Sequence, residues 1–169
     1  MRRPPLMRDA IDGGPPMAIG ELKGRESHGD FPLGLADAVV FVGRVLMAAI
    51  FIDEGCGKIV HYSDVARYMV DHGVPSLLLP LVILTELGGG LMTLGGLLTR
   101  WAAIALAGFS VLAALIFHSD GADAGQAINF QKNLAIAGGF LVLAALGPGA
   151  WSLDNWRARA RKPASPQAN

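Results

Sequence analysis

Glu86 is the residue whose type and position most invite chemistry. It stands ten residues after Ser76, in a stretch from Ser76 to Leu98 that holds no other charge. On a helix rising 1.5 Å per residue that is about 15 Å from the start of the stretch. A carboxylate at the middle of a membrane costs about 2.5–3.5 kcal/mol on insertion scales, so it marks either a functional group or a paired group that binds helices together. Gly88, Gly89 and Gly90 follow it directly. Such small residues admit a neighbouring helix closely, or leave room for a flat ring, so Glu86 with Gly88, Gly89 and Gly90 is a candidate ligand face. Arg44 also lies inside an apolar stretch. An extended arginine there is expected to reach Glu86, as a buried ion pair or one half of a proton relay.

A second polar group gathers where the other ends of the apolar stretches meet: Asp53, Glu54, Lys58, His118, Lys132 and Asn133, with Asp120 and Asp123 between them. It reads as a solvated rim or as a proton path and headgroup site leading toward Glu86. His118 with Asp120 and Asp123 is too sparse a set to expect a metal, and no histidine falls mid-helix where a haem would need one. Cys56 is the single cysteine, so neither a disulfide within the chain nor a C-x-x-C dithiol centre can form. It is expected to be a small buried apolar residue. No catalytic residue can be named, and no cofactor is evident; a quinone is the ligand that the Glu86 face would suit.

The elements that must position these groups follow from composition. Of 28 charged residues in a chain of 169, only 13 fall in the 123 residues from Phe31 to Leu153. A soluble fold of this size cannot hide so much apolar surface, whereas lipid can. Lysine plus arginine equals aspartate plus glutamate at 14 each, so no overall basic field suits a nucleic acid, and none is expected as a partner. Four apolar stretches follow one another: Ala36–Ile52, Ser76–Leu98, Trp101–Phe117 with 17 uncharged residues, and Asn133–Leu153 with 21. Each is near the roughly 20 residues that a spanning helix needs. Lipid offers no partner for an open N–H, so each must be helical.

The breakers agree with this division. Pro75 precedes the second stretch and Pro80 falls in its first turn, where a missing N–H costs nothing. Gly147-Pro148-Gly149 ends the fourth, and only Thr99-Arg100 separates the second from the third, which predicts an antiparallel hairpin. Between the first two stretches, Ser63–His72 is too short and too polar to span. Val65, Tyr68 and Met69 share one face there, with Ser63 placed to cap the start and Gly73 to end it, so a short interfacial helix is expected. The fold class is thus an all-α membrane protein, a four-transmembrane-helix bundle with a short interfacial helix between helices one and two. Residues 1–33 are expected to be a disordered tail, 34–155 the transmembrane domain, and 156–169 a disordered basic tail. Ten lysines and arginines fall on the side of the two termini and three on the other, which predicts cytoplasmic termini. Trp101 and Trp151 near helix ends read as interfacial anchors.

An ordered series of residues then carries a resemblance. Gly55-Cys56-Gly57-Lys58 closes the first helix, and Glu86-Leu87-Gly88-Gly89 lies in the second, followed by Leu94-Gly95 and Leu98-Thr99-Arg100. His118 closes the third, Lys132-Asn133-Leu134 opens the fourth, and Gly138-Gly139, Gly147-Pro148-Gly149 and Ser152-Leu153-Asp154 come after. In this order they resemble the DoxX family of small bacterial inner-membrane proteins over roughly Leu35–Asn155. Asp53-Glu54 departs from the family pattern, which has apolar or small residues there. The resemblance implies a four-helix inner-membrane bundle linked to respiratory or thiol redox systems: an accessory or anchoring subunit of a quinone-linked or oxidative-stress complex, without an independent activity. Two other readings stand beside it, a small transporter or proton relay using the intramembrane glutamate, and a purely structural membrane homo-oligomer. The partners expected are the lipid bilayer, and redox-complex subunits or further copies of the chain.

Overall fold

A computed structural model describes residues 33–119 and 123–161. The tail expected over residues 1–33 lies outside them except for its last residue, as do Asp120 and residues 162–169. Among the described residues, four helices are long and apolar enough to cross a membrane: Gly34–Val60, Ser76–Gly95, Thr99–Phe117 and Ala124–Leu146. The sequence divisions hold in number and order, but two spans have other bounds. The fourth opens at Ala124, nine residues before Asn133, so Lys132-Asn133-Leu134 is interior to it. It ends at Leu146, before Gly147-Pro148-Gly149, instead of at Leu153. Helix α1 (Leu33–Val60) does not stop near Ile52 but carries Asp53, Glu54 and Lys58 on its last two turns. Gly55 and Gly57, which read as a helix end, are interior, and Gly55 has a packing reason. A Cβ there would stand 3.0 Å from the backbone nitrogen of Leu87, so the glycine lets the second span lie directly on α1.

Helix α2 (Tyr62–Asp71) forms one residue earlier than expected. His61 stands before it and makes no capping bond with its side chain, so Ser63 does not cap it. Gly73, at φ +76°, follows its end. Met69 is buried, and Tyr68 stacks on Phe117 with ring centroids 5.5 Å apart.

The second span is composite. It opens with a 3-10 turn at Ser76–Leu78, continues as α3 (Leu79–Ile83), widens into a π turn over Leu84–Gly88, and closes as α4 (Gly89–Gly95). Thr85 Oγ1 donates to the Leu81 carbonyl at 2.8 Å within the widened part. Such π turns are rare and concentrate at functional sites; this one contains Glu86.

Helices α5 (Thr99–Phe117) and α6 (Ala124–Leu146) form a tight hairpin. Ala103, Leu106 and Ala107 meet Ala137, Phe140 and Leu143, and Phe51 of α1 completes this core, edge-on to Phe140 at 5.3 Å. Ala103 and Ala107, small and buried, permit this close approach. Ala135 is exposed, and Gly139 faces Met47 of α1 instead of α5. Outward positions are apolar, among them Leu46, Leu77, Leu112 and Leu146, the arrangement lipid rewards and water penalises. Helix α7 (Leu153–Ala160) runs through the boundary set at residue 155, so the segment from Trp156 to Ala160 is helical rather than disordered. Ser152 accepts a bond from the Asn155 N–H and caps it.

Candidate functional site

Two charged centres lie on α1, and the register of α1 against the second span keeps them apart. Gly55 rests on Leu87, and a Cβ on Gly90 would stand 3.0 Å from Ile52 Cγ1 and 3.3 Å from the Ala48 carbonyl. Arg44 packs farther along, against Gly96. Glu86 is therefore level with residues near Gly55, eleven positions and about 16 Å along α1 from Arg44. The expected Arg44–Glu86 pair does not form: the span is longer than an arginine reaches.

Glu86 pairs with Lys58 instead. Lys58 Nζ lies 2.9 Å from Glu86 Oε2 and 2.9 Å from Glu54 Oε2. Burial grades along this chain: the side chain of Glu86 is 5% exposed, Lys58 18% and Glu54 61%. One ammonium thus sits between two carboxylates, and the three side chains lead from the helix interface to the surface. The bond from Lys58 to Glu54 has good geometry, while Glu86 Oε2 makes no well-formed hydrogen bond despite its proximity to the ammonium. The signal that would have found Lys58 is the i, i+4 spacing of Glu54 and Lys58, legible only once the helix is carried through Gly55 and Gly57.

The rest of the expected polar rim does not join this chain. Asp53 and Lys132 are exposed. His118 Nδ1 lies 2.6 Å from Gln126 Oε1, and Asn133 Nδ2 donates to the Asn129 carbonyl at 3.1 Å. Cys56 is exposed, not buried.

The proposed ligand face also separates, because successive helix residues point about 100° apart. Glu86 faces α1 and Lys58. A Cβ on Gly89 would meet Leu106 of α5 at 3.0 Å, and Gly90 lies on α1. Only Gly88 opens outward, onto an apolar groove of about 590 Å³ shared with Ile59, Tyr62, Pro80, Leu84 and Leu91. A ring could not meet Glu86 and all three glycines together.

At the end of the bundle that holds Leu33 and the α4–α5 turn, the charges are spent on backbone. Arg44 is 1% exposed and its Nη2 donates to the Trp151 carbonyl at 2.6 Å. Asp37 Oδ1 accepts the Ala150 N–H at 2.8 Å. Asp154 accepts from the Leu98 N–H at 2.8 Å and from the Thr99 N–H and hydroxyl at 2.9 Å each. It thereby caps α5 from a remote position, where a carboxylate also suits the positive end of the helix. The bonds matter because Leu98 holds φ +46°, a left-handed conformation unusual for leucine. Burial alone would push the Asp154 carboxyl up, but these three hydrogen bonds and Arg157 outweigh it and hold the group below its ordinary value. Residues 147–155 are thus a strap tied across this end by side chains of α1 and by the turn. No spacing in the sequence announces it.

The sequence comparisons meet this geometry. The DoxX family model matches residues 39–119. The chain is 52% identical over 120 residues to inner membrane protein YqjF of Escherichia coli K12, covering 71% of this chain and 92% of that protein. The chain belongs to the DoxX family. A second relative, inner membrane protein YphA of the same organism, is 34% identical over 132 residues, covering 73% of this chain and 94% of that protein. No solved structure matches. With four apolar spans and two relatives named as inner membrane proteins, this DoxX-family chain is an integral, multi-pass protein of the inner membrane.

Proposed function

We propose that the chain is an accessory inner-membrane subunit of a redox system, and that its own chemical contribution is proton exchange at Glu86. The observation that carries this is the Glu54–Lys58–Glu86 chain. Two carboxylates around one ammonium leave an excess negative charge at a poorly solvated place, and a proton arriving on either acid cancels it. Glu54 is the exposed entry, Lys58 the connecting donor and Glu86 the buried store. The redox association rests on the DoxX resemblance; quinone belongs to this reading as the electron carrier of the partner complex. The groove beside Gly88, almost wholly apolar, suits a quinone's tail better than its polar ring.

A through-path for a transported ion is the weaker reading. Beyond Glu86 the helices close at Gly90 on Ala48 and Ile52, and the strap covers the far end. The excess of lysine and arginine near the termini favours their placement in the cytoplasm, so that Glu54 opens to the outer face and α2 lies at that surface.

Infrared spectra of the protein reconstituted in lipid test the proton store. Acidification should produce a protonated-carboxyl band that is absent from Glu86→Gln and retained in Asp53→Asn. A band unchanged in Glu86→Gln would overturn proton exchange at this residue. Cross-linking in native membranes, followed by mass spectrometry, tests the accessory role. Recovery of redox-enzyme subunits supports it, and cross-links only between copies of the chain would replace it with the structural homo-oligomer.

A further inference from the structure

We infer that α7 is a membrane-surface helix that docks on anionic phospholipid headgroups, with Leu153, Trp156 and Ala160 at the apolar boundary and Arg157 and Arg159 on lipid phosphates. Its place in the fold sets the level. Leu153 Cδ1 lies 3.4 Å from where a Cβ on Gly95 would stand, and the Asp154 N–H donates to the Gly96 carbonyl at 2.9 Å. Gly95 ends the second span and Thr99 opens the third, so α7 starts where two spans leave the hydrocarbon. All three tryptophans of the chain stand at this end: Trp101 is 73% exposed, Trp151 56% and Trp156 66%. Exposed tryptophans collect at the headgroup level.

The two faces of α7 are used differently. Successive residues point about 100° apart, which puts Asp154 and Asn155 on the side of the turn and the strap. Both are committed there: Asp154 accepts from Leu98 and Thr99, and Asn155 Nδ2 donates to the Ala150 carbonyl at 3.1 Å. Leu153, Trp156 and Ala160 are spaced three and four apart, form the opposite stripe, and are all exposed. Arg157 flanks that stripe on one side and Arg159 on the other, with Arg161 one turn beyond Arg157. The three arginines are exposed and make no salt bridge among the described residues. An apolar stripe flanked by cations is the pattern of a helix lying in the plane of the membrane interface.

Charge selects the class of lipid. Arg100 joins the three arginines of α7 as an exposed cation at this end. The acids here, Asp37 and Asp154, are partly buried and already accept backbone N–H bonds. The exposed rim is therefore positive, and each basic residue near an anionic leaflet is worth about fivefold in association. The stripe sets this surface apart from a site for free phosphate, because only a bilayer offers negative charge and an apolar boundary together. Asp154 also clasps α5, so the surface is presented in a fixed orientation rather than on a loose tail.

Fluorescence of the full chain in bilayer nanodiscs tests this, with Trp101→Phe and Trp151→Phe leaving Trp156 as the single tryptophan. The discs hold phosphatidylglycerol and phosphatidylcholine in equal amounts, one or the other brominated on its acyl chain near the headgroup. Trp156 should be quenched, and brominated phosphatidylglycerol should quench it about twofold more than brominated phosphatidylcholine. Arg157→Gln, Arg159→Gln and Arg161→Gln combined should remove that preference with the thermal melt unchanged. High salt, which needs no further variant, should remove it as well. A Trp156 that bromine does not reach would overturn the assignment and leave the stripe to a protein partner. Equal quenching by the two lipids, or a preference that survives both salt and the triple replacement, would overturn it too.

Discussion

Arg44 and Lys58 lie fourteen residues apart on α1, close to four full turns and therefore on nearly the same face. Both carry a positive charge into the contact with the second span, yet they are used differently. Lys58 meets side chains only, two carboxylates of unequal exposure, so its contacts can trade a proton without disturbing the backbone. Arg44 meets the backbone: it holds the Trp151 carbonyl, packs against Gly96, and secures a strap whose other ties are Asp37 and Asp154. The same helix thus presents an exchangeable charge at one level and an architectural one about 21 Å away along its axis. Burial does not distinguish a functional charge from a structural one; what the charge is bonded to does.

The largest effect should come from the exchangeable centre. Lys58→Met strands the buried Glu86 carboxylate, which should cost about 3–5 kcal/mol. Adding Glu86→Gln should restore most of it in thermal melts. The parallel cycle of Arg44→Met with Glu86→Gln should be additive to within about 0.3–0.5 kcal/mol. Coupling in that second cycle would break the separation of the two centres.

Gly96→Ala probes the architectural centre. Gly96 holds φ +67°, and a Cβ there would collide with Arg44 Nη1 and with Ser152. A loss of about 1–3 kcal/mol is expected, read as a lower melting temperature and faster proteolysis near Trp151. An unaltered strap would mean that the contact between Arg44 and Gly96 is incidental.

Asp154→Asn should have the smallest effect, about 1 kcal/mol at neutral pH through weakened hydrogen bonds to Leu98 and Thr99. Its pH dependence has a definite sign. The folded carboxyl is held below its ordinary value of 3.8, so its stabilisation is fully present above that value and is lost as the pH falls through the folded one. The difference in melting temperature between wild type and Asp154→Asn should shrink on acidification. A constant difference down to strongly acid pH would show that the charge is not what holds the strap.

The spans were legible because lipid imposes a coarse rule: about twenty apolar residues, helical throughout. Pro75, Pro80 and Gly147 punctuate them for local steric reasons that hold in any context. The partner of Glu86 was not legible, because it depends on how α1 and the second span slide past each other. That register is set where Gly55 and Gly90 permit close contact, and those same glycines suggested a helix end when read alone. The strap escaped notice for another reason. Bonds from Asp37, Arg44 and Asp154 to distant main-chain atoms leave no periodicity and no characteristic spacing. Arg44 and Glu86 stand out in the sequence as charges inside apolar stretches; that each has a different partner is set by the register, which the sequence does not display.

The cap on α5 bears on how the chain is assembled during synthesis. Thr99 and Asp154 are 55 positions apart, so the α4–α5 hairpin leaves the ribosome well before the carboxylate that secures its turn. Until Asp154 arrives, Leu98 has no side chain to hold its left-handed backbone, and the hairpin enters the membrane with that turn unlatched. Completion of the bundle is therefore a late event, triggered from the far side of α6. Insertion intermediates truncated before Asp154 would contain all four spans and still lack the clasp that closes them.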